Sequence, residues 1–318
     1  MLTTRSVGCR CRLRFPDLGA SAKDLAGRYV WGVSVLRVGC PMWAFRPWVG
    51  RWIPSSTKVG TELAAYANVL SAVEGNTTFY ALPTERTVAK WAEQSPLDFR
   101  FLFKLPQTIT HQKRLNSGGP ELAEFMARLE PLGERLGPVS IQLPASFGPE
   151  SLDVLDQFAS TLSINWHWSV EMRHPAFFDP GEARHAALDL TRRHHLDWII
   201  LDSRAFFAGP VMTKEEQEAF HRKPQLPVRP VATGPHPIVR FIGQNDAGAN
   251  PLFWEKWLPK IAEWLAEGRE PFVFFHTPNN VEGPGLAHHF HRDVAALVSA
   301  LKPLPEAPPE GLFGSAAS

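Results

Sequence analysis

Apolar and polar residues alternate in a stretch in the first third of the chain, from residue 71 to 106. Ser71 to Phe79 and Phe99 to Leu105 have the period of two that is typical of strands. The residues between them have helical spacing, with Thr84 as the N-cap and Pro96 after the last turn. A strand–helix–strand unit of this length predicts a parallel strand pair with a right-handed crossover.

The same alternation continues along the rest of the chain. Strands are predicted at Val35–Cys40, Ser71–Phe79, Phe99–Lys104, Val139–Leu143, His167–Arg173, Leu196–Asp202, Ile238–Gly243 and Phe272–Thr277. Eight such units in about 270 residues predict an α/β fold, a single-domain (β/α)8 TIM barrel. An open doubly wound sheet is the competing fold, but no glycine-rich phosphate turn follows the first strand.

Three segments lack this regular pattern. Residues 203–237, after strand six, have weak periodicity and contain six prolines. A connection of this length usually serves as a lid or a binding loop, and it contains one short predicted helix, Lys214 to His221. We expect residues 1–34 to be a disordered N-terminal extension, 35–302 to be the barrel domain, and 303–318 to be a disordered tail.

Composition narrows the class of protein. The 318 residues include 33 Lys plus Arg and 32 Asp plus Glu, so the net charge of +1 gives no global basic footprint for nucleic acid. The three cysteines, Cys9, Cys11 and Cys40, have no framework spacing, which favours a reducing, cytoplasmic compartment. No apolar run reaches the ~20 residues that a membrane span needs, so we expect no membrane partner.

Polar residues lie on one face of each predicted strand, near its carboxyl end. They are Glu74, Asn76, Lys104, Ser140, Gln142, Glu171, Arg173, Asp202, Arg240 and His276. In a barrel one face of every strand points at the axis, so these side chains are predicted to meet at the C-terminal mouth. The structural alternative is an interior ion-pair network that only closes the barrel.

The types of residue in this set suggest roles. We assign catalytic roles to Glu74, Lys104, Glu171 and Asp202, with Lys104 as an amine nucleophile or base and Glu171 as an acid or base. Substrate-binding roles fall to Asn76, Gln142, Arg173, Arg240 and His276. Glu171→Gln is predicted to keep the fold and lose ligand binding or turnover.

A metal site is the alternative for the acidic residues of this set. Glu74, Glu171, Asp202 and His276 are ligands that a hard divalent cation accepts. Lys104, Arg173 and Arg240 are interleaved with them and would repel a metal ion, so we favour a pocket without metal. No motif assigns a cofactor.

Several short motifs occur in order along the chain. They are VGCPMW at Val38–Trp43, VEGNTTFY at Val73–Tyr80, FRFLFK at Phe99–Lys104, LGP at Leu136–Pro138, QLP at Gln142–Pro144 and VEMRHP at Val170–Pro175. With them the chain resembles the domain of unknown function 72 (YecE-like) family over roughly residues 37–301. The resemblance implies a TIM barrel and adds His111 and His174 to the binding set, but it implies no particular activity.

This chain departs from the commoner family pattern near its end. Ile242 precedes Gly243 where many members have a histidine, and the Asn279–Asn280 pair follows strand eight at a distance. The departures suggest a subfamily with a different ligand.

Three functions remain open from the sequence. The favoured one is an enzyme acting on a small polar or anionic metabolite, of hydrolase, lyase or isomerase type. A nucleic-acid-processing barrel similar to DNA-repair endonucleases is the second, supported by basic residues in two segments, 111–114 and 203–237. The third is a non-catalytic ligand-binding barrel. Trp43, Trp48 and Trp52 fit either ligand stacking or core packing.

Overall fold

The computed structural model describes residues 34–305, which contain the eight parallel strands predicted from the sequence. The strands are β1 (Arg37–Cys40), β2 (Ala72–Gly75), β3 (Arg100–Phe103), β4 (Val139–Gln142), β5 (Trp168–Glu171), β6 (Leu196–Asp202), β7 (Ile238–Ile242) and β8 (Phe272–His276). Their hydrogen-bonded order is β3-β2-β1-β8-β7-β6-β5-β4. The two ends of this order meet through the bridges Phe101–Leu136 and Lys104–Ser140. The strands therefore form a nearly closed barrel, and the (β/α)8 prediction is confirmed.

Helices alternate with the strands around the outside of the barrel. They are α1 (Glu62–Ala67), α2 (Thr77–Tyr80), α3 (Glu85–Gln94), α4 (Gly119–Leu129), α5 (Leu152–Ser160), α6 (Glu182–Arg193), α7 (Arg204–Ala208), α8 (Lys214–Arg222), α9 (Pro251–Trp254), α10 (Trp257–Ala266) and α11 (Gly283–Ala295). Thr84 caps α3 as predicted, since its hydroxyl accepts the backbone N–H of Thr87. Between β7 and β8 the chain forms two short helices, α9 and α10, in place of one continuous helix.

The second strand is shorter than its sequence pattern predicts. β2 ends at Gly75, and the β-branched and aromatic residues that follow form α2 instead of continuing the strand to Phe79. The hydroxyl of Thr78 donates a hydrogen bond of 2.7 Å to the carbonyl oxygen of Lys104, which ties this turn to the end of the neighbouring strand. Tertiary contacts override the strand propensity here, and Asn76 lies in the connection after β2.

The inside of the barrel is filled by an apolar layer below the polar residues. It consists of Ala72, Leu102, Ile199, Ile238, Phe272 and Phe274. Gly39 leaves room for this layer, because a Cβ there would lie 2.1 Å from the Ala72 carbonyl oxygen and 3.1 Å from the ring of Phe274. The layer closes the base of the cavity at the mouth.

The segment between β6 and β7, residues 203–237, lies over the mouth. Its helix α8 confirms the short helix expected there and begins with a capping box made by Thr213 and Glu216. The segment is attached at two further points: Ala219 packs against the cluster that contains Leu201 and Ile242, and the side-chain amide of Asn245 donates to Glu216 at 2.8 Å.

The predicted terminal segments fall mostly outside the described residues, at 1–33 and 306–318, so those expectations stay predictions. Leu304 lies within the described part and packs against the core, although the sequence placed it in the tail. No helix within residues 34–305 is both long and apolar enough to cross a membrane.

Candidate active site

A cavity of about 890 Å³ opens at the carboxyl ends of the strands. Loops after several strands and the helix α8 form its walls. Six residues of the predicted site line it: Asn76, Lys104, Gln142, Arg173, Arg240 and His276. Glu74 and Glu171 lie directly behind these residues and bind them through ion pairs. The strand parity therefore brings most of the predicted set into one site.

Arg240 is the centre of a buried ion-pair network. Its Nε lies 3.0 Å from Oε2 of Glu74, and its Nη1 lies 2.5 Å from Oε2 of Glu171. Glu74 also forms an ion pair with Lys104, whose Nζ is 2.9 Å from Oε1. Both carboxylates are almost inaccessible to solvent, and each is held by two cations or more.

The carboxylates in this network are ionised. Burial alone would raise the pKa of Glu171, but Arg173, Arg240 and Lys104 together lower it to about 2. Burial also opposes ionisation of Glu74, yet Arg240, Lys104 and His276 hold its pKa well below the usual range. The two ionised carboxylates therefore offset part of the positive charge of Lys104, Arg173 and Arg240.

Lys104 lies at the end of β3 and faces the axis. Its ammonium donates to Oε1 of Gln142 at 3.0 Å. Burial and the neighbouring Arg240 lower the pKa of Lys104, while Glu74 and Glu171 act in the opposite direction. This environment keeps the ammonium oriented by two acceptors, on Gln142 and Glu74, and makes release of its proton easier than in water.

His276 and Glu74 form a hydrogen-bonded dyad at the edge of the cavity. The Nε2 of His276 is 3.1 Å from Oε2 of Glu74. Burial lowers the pKa of His276 to about 4, although Glu74 opposes the shift. A neutral imidazole next to an ionised carboxylate carries its proton on Nε2, which leaves the lone pair of Nδ1 available. His276 can therefore accept a proton from a bound molecule.

Lys223 is a site residue that the sequence reasoning missed. It lies at the end of α8, lines the cavity and has no carboxylate partner within residues 34–305. Burial, and next the charge of Arg240, lower its pKa to about 8. The sequence offered only a lysine in a basic segment without periodicity, and no pattern there indicated which side chains turn toward the barrel.

The charges inside the mouth do not balance. Five cations line the mouth, and four carboxylates accompany them. The cations are Lys104, Arg173, Arg222, Lys223 and Arg240, and the carboxylates are Glu215 and Glu218 on α8 and, behind the lining residues, Glu74 and Glu171. Arg173 uses its Nε to contact Glu171 at 2.6 Å, and its terminal nitrogens make no hydrogen bond to residues 34–305. The mouth therefore holds one cation in excess of its carboxylates, and a positive concave site favours binding of an anion.

Two residues of the predicted site lie elsewhere. The prediction that Asp202 lines the pocket is wrong: its carboxylate points to the helical layer, where it accepts from Nε1 of Trp257 at 2.8 Å and from Nη2 of Arg204 at 2.7 Å. His174 caps the turn Pro175–Phe177, with its Nδ1 accepting from the N–H of Ala176.

His111 lies behind the aromatic residues of the mouth rather than among its lining residues. Its ring packs perpendicular to Phe79 at 5.1 Å, and its Nδ1 is 2.9 Å from the hydroxyl of Thr110. Burial and the charge of Arg173 lower its pKa.

The carboxylate oxygens of the mouth are already engaged by cations. Among residues 34–305 no group of three or more His, Cys, Asp or Glu side chains is arranged to hold a metal ion. Arg240 and Lys104 occupy the positions that a cation would take between Glu74 and Glu171. The donor set does not fit a divalent ion in this arrangement.

The basic residues that support a nucleic-acid interpretation do not form one surface. Lys113 pairs with Glu121, and Arg114 donates to Ser146 at 2.8 Å. Arg229 donates twice to the carbonyl oxygen of Phe178, while Lys223 lies in the cavity. These four side chains are thus engaged in separate contacts, and the nucleic-acid interpretation stays a prediction.

Acid is expected to destabilise the fold through buried histidines. Burial lowers the pKa of His276 and of His291 to about 4, from 6.5, so the unfolded chain binds more protons between these values. The free energy of unfolding should therefore fall as the pH decreases from about 6.5 to 4, by up to about 1.4 kcal/mol per pH unit for each histidine. Urea unfolding at several pH values measures this slope.

The substitution His291→Gln should flatten that slope, because an amide keeps a donor for the carbonyl oxygen of Lys302 and does not titrate. The matched control is the exposed His185→Gln. Equal slopes in the two variants would contradict the assignment to buried histidines.

Asp202→Asn is expected to affect stability and not ligand binding. The change weakens the charged contacts to Arg204 and Trp257, which should lower the free energy of unfolding by about 1–3 kcal/mol. Urea unfolding and titration with inorganic phosphate separate the two effects. Loss of phosphate binding at unchanged stability would contradict this structural role and indicate that Asp202 contributes to the binding site.

Comparisons with known proteins agree with this architecture. The family described as "Protein of unknown function DUF72" matches residues 37–310. The "UPF0759 protein YecE" of Escherichia coli K12 is 36% identical over 274 residues, which are 86% of this chain and 98% of that protein. The protein of the same description from Escherichia coli O157:H7 gives the same identity and coverage.

Two crystal structures of DUF72 family proteins have a similar fold. The one from Thermotoga maritima MSB8 has a TM-score of 0.59 at 21% identity and covers 83% of this chain and 99% of that chain. The one from Enterococcus faecalis V583 has a TM-score of 0.57 at 21% identity and covers 84% and 98%. At this level of identity the likeness supports the barrel fold alone.

Proposed function

Because this chain belongs to the DUF72 family of unknown function, we propose its role from the cavity itself: it is an enzyme that acts on a small anionic metabolite. The ligand carries a carboxylate or a phosphate and binds at the mouth of the barrel. The observation that carries the proposal is the excess of cations there, and above all Lys223, which has no carboxylate partner within residues 34–305.

Arg173 and Lys223 suit the anion-binding role. The guanidinium of Arg173 is oriented through Nε by Glu171, which leaves its terminal nitrogens to bind an oxyanion. Lys223 comes from the segment over the mouth, so it approaches from a different element. Arg240 is saturated by Glu74 and Glu171 and serves to fix these carboxylates.

The Glu74–His276 dyad suits proton transfer. Neutral His276 takes a proton at Nδ1 while Glu74 stabilises the imidazolium that forms. A bound anion raises the pKa of His276 toward neutrality, because it favours the charged form of the ring. Lys104, held by Gln142 and Glu74, then stabilises negative charge that develops on the substrate. Such a set performs the steps of an isomerase, a lyase or a hydrolase.

Turnover of metabolites tests the proposal directly. The protein is incubated with a metabolite extract, and depletion or appearance of compounds is followed by mass spectrometry. We expect wild-type protein to convert at least one anionic compound and His276→Gln to convert none, because glutamine cannot take up the proton.

Lys214→Met is the matched control, since Lys214 is exposed on α8 and does not line the cavity. It should behave as wild type. Binding of an anionic compound without any conversion would favour a binding barrel, and conversion retained in His276→Gln would contradict the role of the dyad.

A further inference from the structure

The wall of the mouth cavity is divided by charge along the barrel. Strands β8, β1 and β2 are neighbours. The cavity residues that follow these three strands share one property: none is an acid, a lysine, an arginine or a histidine. They are Pro41, Met42, Trp43, Ala44, Asn76, Thr77, Phe79, Tyr80, Thr277, Pro278 and Asn280, which we call the uncharged wall.

The charged residues lie on the other side. Lys104, Arg173 and Arg240 come from the ends of β3, β5 and β7, and the remaining charged lining residues come from α8 and the residue after it. His276, at the end of β8, stands at the boundary between the two sides. A molecule that fills this cavity meets charged side chains at one end, five cations with Glu215 and Glu218, and an uncharged surface at the other.

Tyr80 gives the uncharged wall an open aromatic face. Its side chain is 73% exposed, although it lines a concave site. It packs only edge to face with Phe79, at 5.2 Å and 90°. An aromatic ring left in contact with water next to a binding cavity is available for stacking.

Trp43 is the second aromatic side chain of interest in the wall. It contacts Trp91 edge to face at 5.4 Å and still lines the cavity. The two other tryptophans of this loop are different: Trp48 and Trp52 are buried, with their indole N–H groups bonded to backbone carbonyls of Asn280 and Val281. The sequence left ligand stacking and core packing open for these three tryptophans. In the structure Trp48 and Trp52 belong to the core, and Trp43 lines the cavity.

From this division we propose that the natural ligand is an oxyanion attached to an uncharged planar ring, such as an aryl or heterocyclic phosphate or carboxylate. The ring lies against Trp43 and Tyr80, and the oxyanion binds to Arg173 and Lys223. The inference rests on the proposed function and names the class of substrate that the same site takes.

The test uses two pairs of probes that differ only in the ring. Calorimetric titration at pH 7 compares phenyl phosphate with methyl phosphate, and benzoate with acetate. We expect the ring to tighten binding about tenfold or more in wild-type protein. The advantage of the ring should be lost in Tyr80→Ala and kept in Tyr80→Phe, while methyl phosphate binds equally to all three proteins.

The outcomes separate this inference from the proposed function. If methyl phosphate binds and the ring adds less than twofold, the ring subsite is wrong and the anion site stands. If the ring adds affinity that Tyr80→Ala retains, the position of the subsite is wrong. If none of the four probes binds, the anion site fails and this inference fails with it. The variant is safe for folding, because Tyr80 is largely exposed.

Discussion

Glu171→Gln is expected to lower the free energy of unfolding by about 3–5 kcal/mol, because it breaks a buried ion pair and leaves the partner in place. Glu171 is fully buried and accepts from Arg240 at 2.5 Å and from Arg173 at 2.6 Å. Without its charge, two arginines and Lys104 share the single carboxylate of Glu74. Urea unfolding measures the loss.

The same substitution should weaken binding of methyl phosphate, since Glu171 holds the guanidinium of Arg173 in place. Glu93→Gln, on the exposed face of α3 and away from the cavity, is the matched control and should leave stability unchanged. The predicted loss of stability differs from the sequence-based expectation that Glu171→Gln keeps the fold intact, because the sequence did not show how completely Glu171 is enclosed. Unchanged stability would contradict the structural part of the network.

Lys223→Met is expected to weaken binding of sulfate at least tenfold at pH 7 without lowering stability. The ammonium makes no ion pair within residues 34–305, so its removal costs no contact and relieves repulsion with Arg240 and Lys104. The binding loss follows from removing the cation that no carboxylate compensates. Calorimetric titration and urea unfolding give the two quantities.

The pH dependence of the same binding gives a second readout. Burial and the charge of Arg240 lower the pKa of Lys223 to about 8, so the ammonium is lost as the pH rises through this value. Sulfate keeps its charge in this range, and its binding to wild-type protein should decrease above pH 8. Lys223→Met should bind weakly at every pH, and Lys214→Met should follow the wild type. If sulfate binding to Lys223→Met decreased above pH 8 as it does in wild-type protein, the pH dependence would belong to a titrating group other than Lys223.

The sequence predicted the barrel and most of the floor of the site for the same reason. In strands with one polar face, such as those of Glu74 and Arg240, the period of two shows which residues point to the axis. The strand β6 has no such pattern, because all seven of its residues are buried. Asp197 and Asp202 lie on opposite faces of it, and their sequence gives no sign of which face turns inward.

The parts of the site that the sequence did not predict lie after the strands. Tyr80 belongs to α2, where the hydrogen bond from Thr78 to the end of β3 decides the backbone. Lys223 follows a helix whose position depends on contacts of Ala219 and Glu216 with distant parts of the chain. Such contacts join residues that are far apart in sequence, and a local periodicity carries no information about them.

The apolar layer with Phe272 and Phe274 beneath the ion pairs also affects how molecules enter and leave the cavity. Gly39 leaves room for these rings inside the barrel, and among residues 34–305 they form a buried apolar layer beneath the site. A substrate and the product made from it must use one opening, past α8, in turn. In a reaction with two substrates, the one seated deeper has to enter first and its product has to leave last. For the enzyme proposed above, the order of binding and release would then follow from the shape of the barrel.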